Sequence, residues 1–175
     1  IIVGKVYGML RTLWDTQYFT PLNIKLLLVK TYLLSTLIYG CEIYANCDTC
    51  DKYKLNKLYN TIARYIFCLR KFDRVSMYSY KIYSMSFDNL LKFKVLTLMH
   101  KIIISKIPIY LFNKLSFTLS LRYKHLRTIR TKYLISERQF FIFAIRLWNS
   151  LPYNLTFITN PVHFKKELSK LLSAN

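Results

Sequence analysis

At 175 residues, 53% of them apolar, the sequence is the size of one domain or of two small helical lobes, and it can bury a real core, which excludes a wholly disordered chain. Only 3 Gly and 4 Pro interrupt long apolar-periodic runs, the pattern of helices joined by short connections and not of a many-stranded β fold. Charge sets the other bound: 27 Lys and Arg against 8 Asp and Glu leave +19, more than solubility requires. That excess points to nucleic acid or an anionic membrane surface, or else to a basic face that is simply solvated.

In chain order, Val3, Val6, Tyr7, Leu10, Leu13 and Trp14 recur at three- and four-residue spacing, which predicts a first helix ending near Trp14. Thr20 and Pro21 read as a cap followed by proline at the first helical position. The run 22–39 is apolar almost all round, broken chiefly by Lys25 and Lys30, and is expected to be a central buried helix that stops at Gly40. After a polar interruption at 46–51, a third helix places Leu55, Leu58, Tyr59, Ile62, Ile66 and Leu69 on one stripe and Lys54, Lys57 and Arg64 on another. Arg70, Lys71 and Arg74 follow its end, where cations also suit the helix dipole. Ser86 with Asp88 starts the next helix, which carries Leu90, Leu91, Val95, Leu98, Met99, Ile102 and Ile103 and ends before Pro108.

The stretch 116–135 lacks helical periodicity and suits an extended basic arm or a short hairpin. A late helix from about Arg138 bears Phe140, Phe141, Ala144, Ile145, Leu147 and Trp148 and stops before Pro152. Asn160 and Pro161 cap a final one, with Phe164, Leu168 and Leu171 inward and Lys165, Lys166 and Lys170 outward. The expected class is therefore mostly α: a multi-helix, bundle-like array with an irregular or hairpin basic arm near 116–135. A division at 1–75 and 76–175 is expected.

Several function classes find no support. The longest uncharged apolar run, 31–41, falls short of the ~20 residues a membrane helix needs, so no membrane partner is expected. The opening residues are not a secretory signal, and Ile1 in place of Met suggests a start within a longer polypeptide. Cys41, Cys47, Cys50 and Cys68 read as reduced and intracellular, which makes the sequon at Asn154 a chance match. Two-metal catalysis needs clustered carboxylates, whereas Asp15, Glu42, Asp48, Asp51, Asp73, Asp88, Glu137 and Glu167 are scattered. Cys47 and Cys50 have the spacing of two zinc thiolates but lack a second ligand pair, and loop cysteines without metal are the expectation. No triad forms around His100, His125 or His163. His100 is read as partly packed and His163 as surface. Neither a catalytic residue nor a cofactor is expected.

One functional signal remains, bases interleaved with aromatics. Between Asn89 and Ser136 there are ten bases and no acid. Arg and Lys neutralise phosphates and release counterions, and exposed rings accept stacked bases. The first-choice contacts are Lys54, Lys57, Arg64, Arg70, Lys71 and Arg74; the second are Arg122, Lys124, Arg127, Arg130 and Lys132. The alternative is a solvated charged face with its tyrosines in the core.

Three stretches resemble one family, the reverse transcriptase of LINE-like, non-LTR retrotransposons of the jockey type. Phe143-Ala144-Ile145-Arg146-Leu147-Trp148-Asn149-Ser150-Leu151-Pro152, followed by Phe164-Lys165-Lys166-Glu167-Leu168, looks like that family's closing block. The stretch 33–42 is similar to its helix ending in Tyr-Gly just after the polymerase core, and 55–70, with Asn60, Arg64 and Ile66, resembles the helix that follows. The resemblance implies a thumb and post-thumb segment of an RNA-directed DNA polymerase. Its expected partners are RNA and DNA as template and primer, together with the upstream polymerase domain, and its expected location is nuclear within the full element protein. The family's paired catalytic aspartates have no match here, so no polymerase activity is expected of this chain alone. The Cys47 to Cys50 loop departs from the family, and the 175 residues hold no zinc knuckle or second nuclease domain of the kind some relatives carry, as expected of the jockey-like type. A structural or protein-interaction module, or a relic of such an element, is the alternative.

Overall fold

The computed structural model describes residues 2–83, 85–118, 125–128 and 139–174. Among them the fold is mostly α, as the periodicity predicts, with one isolated β-bridge and no sheet. It divides into two compact units, Ile1–Cys41 with Cys47–Leu90, and Glu42–Asn46 with Leu91–Asn175.

In the first unit, α1 (Ile2–Trp14) buries Val6 and Leu10. A continuous helical run then passes from α2 (Leu22–Leu28) through wider π turns (Val29–Leu34) into α3 (Ser35–Ile38). Thr31 and Thr36 hydroxyls bond back to the carbonyls of Leu27 and Tyr32, competing with the backbone ladder where it widens. Gly40, with φ +63°, ends the run in the left-handed region that a side chain would resist.

This run departs from the sequence expectation in two ways. Pro21 is itself the residue flanking the helix, and Thr20 does not cap it; its hydroxyl turns back to Thr16 O at 2.9 Å. The run is also not buried all round: Val29, Leu33, Leu34 and Leu37 are inside, while Leu22, Ile24, Leu27 and Tyr32 are exposed and Lys25 is buried at 5% exposure. The cause of that inversion lies at the end of another helix.

Residues Cys41–Tyr44 form one turn, α4, before α5 (Thr49–Phe67), which starts after Asp48. Leu55, Leu58, Tyr59, Ile62 and Ile66 are buried along the predicted stripe, each stabilising the fold by roughly 1.5–3 kcal/mol. Leu69 lies just past the helix. Helix α6 (Ser76–Tyr83) follows, and α7 (Phe87–Ser105) begins after Ser86, whose Oγ accepts from Asn89 N. Phe87 packs tilted against Tyr59 and Tyr78 tilted against Phe67, each with ring centroids 5.1 Å apart.

In the second unit, α7 continues to Ser105, and α8 (Ile109–Phe112), α9 (Phe140–Asn149), α10 (Tyr153–Thr156) and α11 (Pro161–Ala174) follow. Asn160 Oδ1 accepts from Val162 N at 2.9 Å, the expected cap of α11. The core of this unit is mainly aliphatic, with Trp148 and Phe164 as its large rings. Phe164, His100 and Trp148 form a triangle of rings: Phe164 stacks on His100 at 4.0 Å and on Trp148 at 6.0 Å, and His100 lies 6.4 Å from Trp148. His100 is wholly packed, and its Nε2 meets Ile158 O at 2.7 Å. Of the 116–135 arm, the described part pairs Phe117 with Leu126, antiparallel. No helix among the described residues is long and apolar enough to cross a membrane.

Candidate nucleic-acid interface

The outward side of α5 and the turn after it carry the first-choice bases. Lys54 and Lys57 are exposed one turn apart. Lys54 is shared with Asp51, 2.9 Å away, and this exposed pair holds the Asp51 carboxyl below its ordinary value and the Lys54 ammonium above its own. Such a pair competes only weakly with a phosphate, since it is solvated on both sides.

Helix α5 ends at Cys68, whose φ of 51° turns the chain out of the helix, and Leu69 N closes the turn on Arg64 O at 3.1 Å. The last carbonyls of a helix lack partners of their own. Here residues before and inside α2 add side-chain donors: Gln17 Nε2 donates to Tyr65 O at 3.3 Å and also to Arg64 O at 3.2 Å, and Lys25 Nζ lies 3.4 Å from Ile66 O and 3.0 Å from Cys68 Sγ. Lys25 is buried because a cation at a helix C-terminus meets the negative end of its dipole.

That anchored end presents the next four residues. Asp73 Oδ2 accepts from Arg70 N at 2.7 Å, and Asp73 N donates to Arg70 O at 3.2 Å, so 70–73 is a closed turn. Arg70, Lys71 and Arg74 are exposed, and Phe72 projects between them at 91% exposure, with Lys71 Nζ 5.6 Å from its ring centroid. Beside the turn is a hollow of about 630 Å³, lined among others by Asn56, Asn60, Arg64, Arg74, Asp73 and Asp88. Arg64 is half-buried. Its Nε is buried with no hydrogen-bond partner among the described residues, at a cost of about 1–3 kcal/mol.

No protein-family model, curated protein or solved structure matches the chain.

The structure thus brings Arg64 and Arg74 to one hollow and sets Arg70 and Lys71 on the turn beside it, with Lys57 about 10 Å back along α5 at 1.5 Å per residue. Of the second-choice set, Arg127 is exposed in the second unit, its N donating to Ser116 O at 2.7 Å. Arg122, Lys124, Arg130 and Lys132 lie outside the described residues. Among the described residues no group of His, Cys, Asp and Glu is placed to hold a metal ion. Cys50 is exposed, and burial pushes the half-buried Cys47 thiol up.

Sequence reasoning passed over Asn56, Phe72 and Asp88. The spacing Asn56, Asn60, Arg64 repeats every four residues, which stacks the three on one side of α5 and is a readable signal. Phe72 and Asp88 come from other segments and carry no such signal.

Proposed function

We propose that this chain is the non-catalytic, nucleic-acid-holding C-terminal part of a non-LTR retrotransposon RNA-directed DNA polymerase, gripping template and primer through their phosphates. The observation that carries this reading is the anchored end of α5, where Arg70, Lys71 and Arg74 stand exposed beside Arg64 on a fixed turn. A net charge of +19 supports a polyanionic partner, and phosphate contacts of this kind carry affinity without sequence information. The scattered carboxylates support a role without chemistry of its own. The upstream polymerase domain is the proposed protein partner, and the exposed Leu22, Ile24, Leu27 and Tyr32 of the second helical run offer it apolar surface. Within the full element protein the proposed location is the nucleus.

Those same exposed apolar residues favour a second reading, a protein-interaction module with incidental charge. A salt titration of binding to an RNA–DNA hybrid and to random duplex DNA separates the two. Tight binding with a steep log–log slope is expected for the first reading, whereas a folded chain that ignores both at low salt leaves the second.

A further inference from the structure

We infer that the hollow beside the α5 end receives a single unpaired base, guanine in preference, from the strand whose phosphates the surrounding bases hold. This rests on the nucleic-acid reading above and adds a base-reading subsite to it.

Charge decides what enters. Two cations, Arg64 and Arg74, and two carboxylates, Asp73 and Asp88, line the hollow, so its interior is balanced while the turn outside it is basic. A phosphate gains little in such a lining, but a neutral group with both donors and acceptors gains from each. Size agrees, since about 630 Å³ holds a nucleotide with room for water. The donors and acceptors are of the right kind: Arg64 and Arg74 bring guanidinium N–H groups to the lining, and Asn60 brings an amide. Asp88 takes one long bond from Asn56 Nδ2, 3.5 Å, out of the several that a carboxylate accepts. Phe72 stands at the rim with most of its surface in solvent, a face on which a base can stack.

Guanine fits this set better than the other bases. It alone offers two acceptors, O6 and N7, to a guanidinium fork and two donors, N1–H and N2–H, to a carboxylate. Adenine presents a single exocyclic donor and would leave the carboxylate poorly used. Pyrimidines stack less and reach less far.

The test uses the full chain and a hairpin duplex, either fully paired or carrying one bulged nucleotide, with the ratio of the two affinities as the readout. About tenfold tighter binding of the bulged-guanine hairpin is expected, with a smaller gain for adenine and least for the pyrimidines. The gain should fall towards one in Phe72→Ala and in Asp88→Asn, both exposed positions whose folding is checked by circular dichroism. A wild-type ratio near one with tight, salt-dependent binding of the paired hairpin overturns the subsite and leaves the phosphate-gripping reading intact. Equal gain for all four bases overturns it too, and loss of binding to every hairpin overturns both.

Discussion

Asn149 grips the backbone of Leu126 with both ends of its amide: Oδ1 accepts from Leu126 N at 2.9 Å, and Nδ2 donates to Leu126 O at 2.8 Å. The side chain thereby does what a neighbouring strand would do, and it ties the end of α9 to the pairing of Phe117 with Leu126. Leu126 is buried, so its amide has no water to fall back on. This gives Asn149 of the Leu-Trp-Asn run a physical task, holding in place the segment that carries Arg127.

Replacing Asn149 by Ala strands both polar groups of Leu126, at about 1–3 kcal/mol each. Urea unfolding should show a loss of roughly 2–6 kcal/mol, with Asn149→Asp, which keeps only the acceptor, in between. Hydrogen exchange at the Leu126 amide should quicken more than at the α9 amides. Unchanged protection there would mean that the amide clamp holds nothing.

The end of α5 makes a parallel case in the first unit. Gln17→Leu removes the donor to two carbonyls, Arg64 O and Tyr65 O, in a site with little solvent, and should cost about 1–3 kcal/mol in thermal or urea unfolding. Because those carbonyls precede the basic turn, the variant should also weaken duplex binding although it carries no charge change. Stability lost with affinity fully kept at a temperature where the variant is folded would separate the turn from its anchor.

How much of this was legible in the sequence follows from how local each feature is. The buried stripe of α5, the Ser86 start of α7 and the Asn160 cap of α11 each lie within a few neighbouring residues, and a window along the chain sees them. Lys25 does not. Its partners lie 41 and 43 residues onward, so a lysine in an apolar run reads as a break in the stripe when it is a cap for another helix. The hollow is less legible still, because Asn56 to Arg64, Phe72 to Arg74 and Asp88 meet only after α5 and α7 are placed. Only the four-residue spacing within its α5 wall was there to be read.

His100 makes stability depend on pH in a definite window. Burial pushes its imidazole below the ordinary 6.5; the bond to Ile158 O opposes this and the nearby Lys165 adds to it. The unfolded chain therefore takes up a proton near pH 6.5 while the folded chain still excludes it. Stability is full above that pH and is lost as the pH falls through the window down to the lowered folded value. Melting temperature should drop between pH 7.5 and 5 in the wild type and drop less in His100→Gln. Equal slopes in the two proteins would assign the effect to other groups.

The proposed phosphate grip is read in the salt slope. Each phosphate neutralised on duplex DNA contributes about 0.9 to the slope of log K against log salt, so converting Arg70, Lys71 and Arg74 together to Gln should flatten it by up to roughly 2.7. The loss should be uniform across fully paired sequences, where no unpaired base reaches the hollow and these contacts fix position and not base identity. Converting Arg122, Lys124, Arg127, Arg130 and Lys132 to Gln tests the second run by the same measure. If that set flattens the slope and the turn variant does not, the grip belongs to the basic arm, and the exposed turn after α5 is a solvated surface. If the turn variant alone flattens it, the many charges of the arm are incidental. Two additive losses would mean that both sets neutralise phosphates.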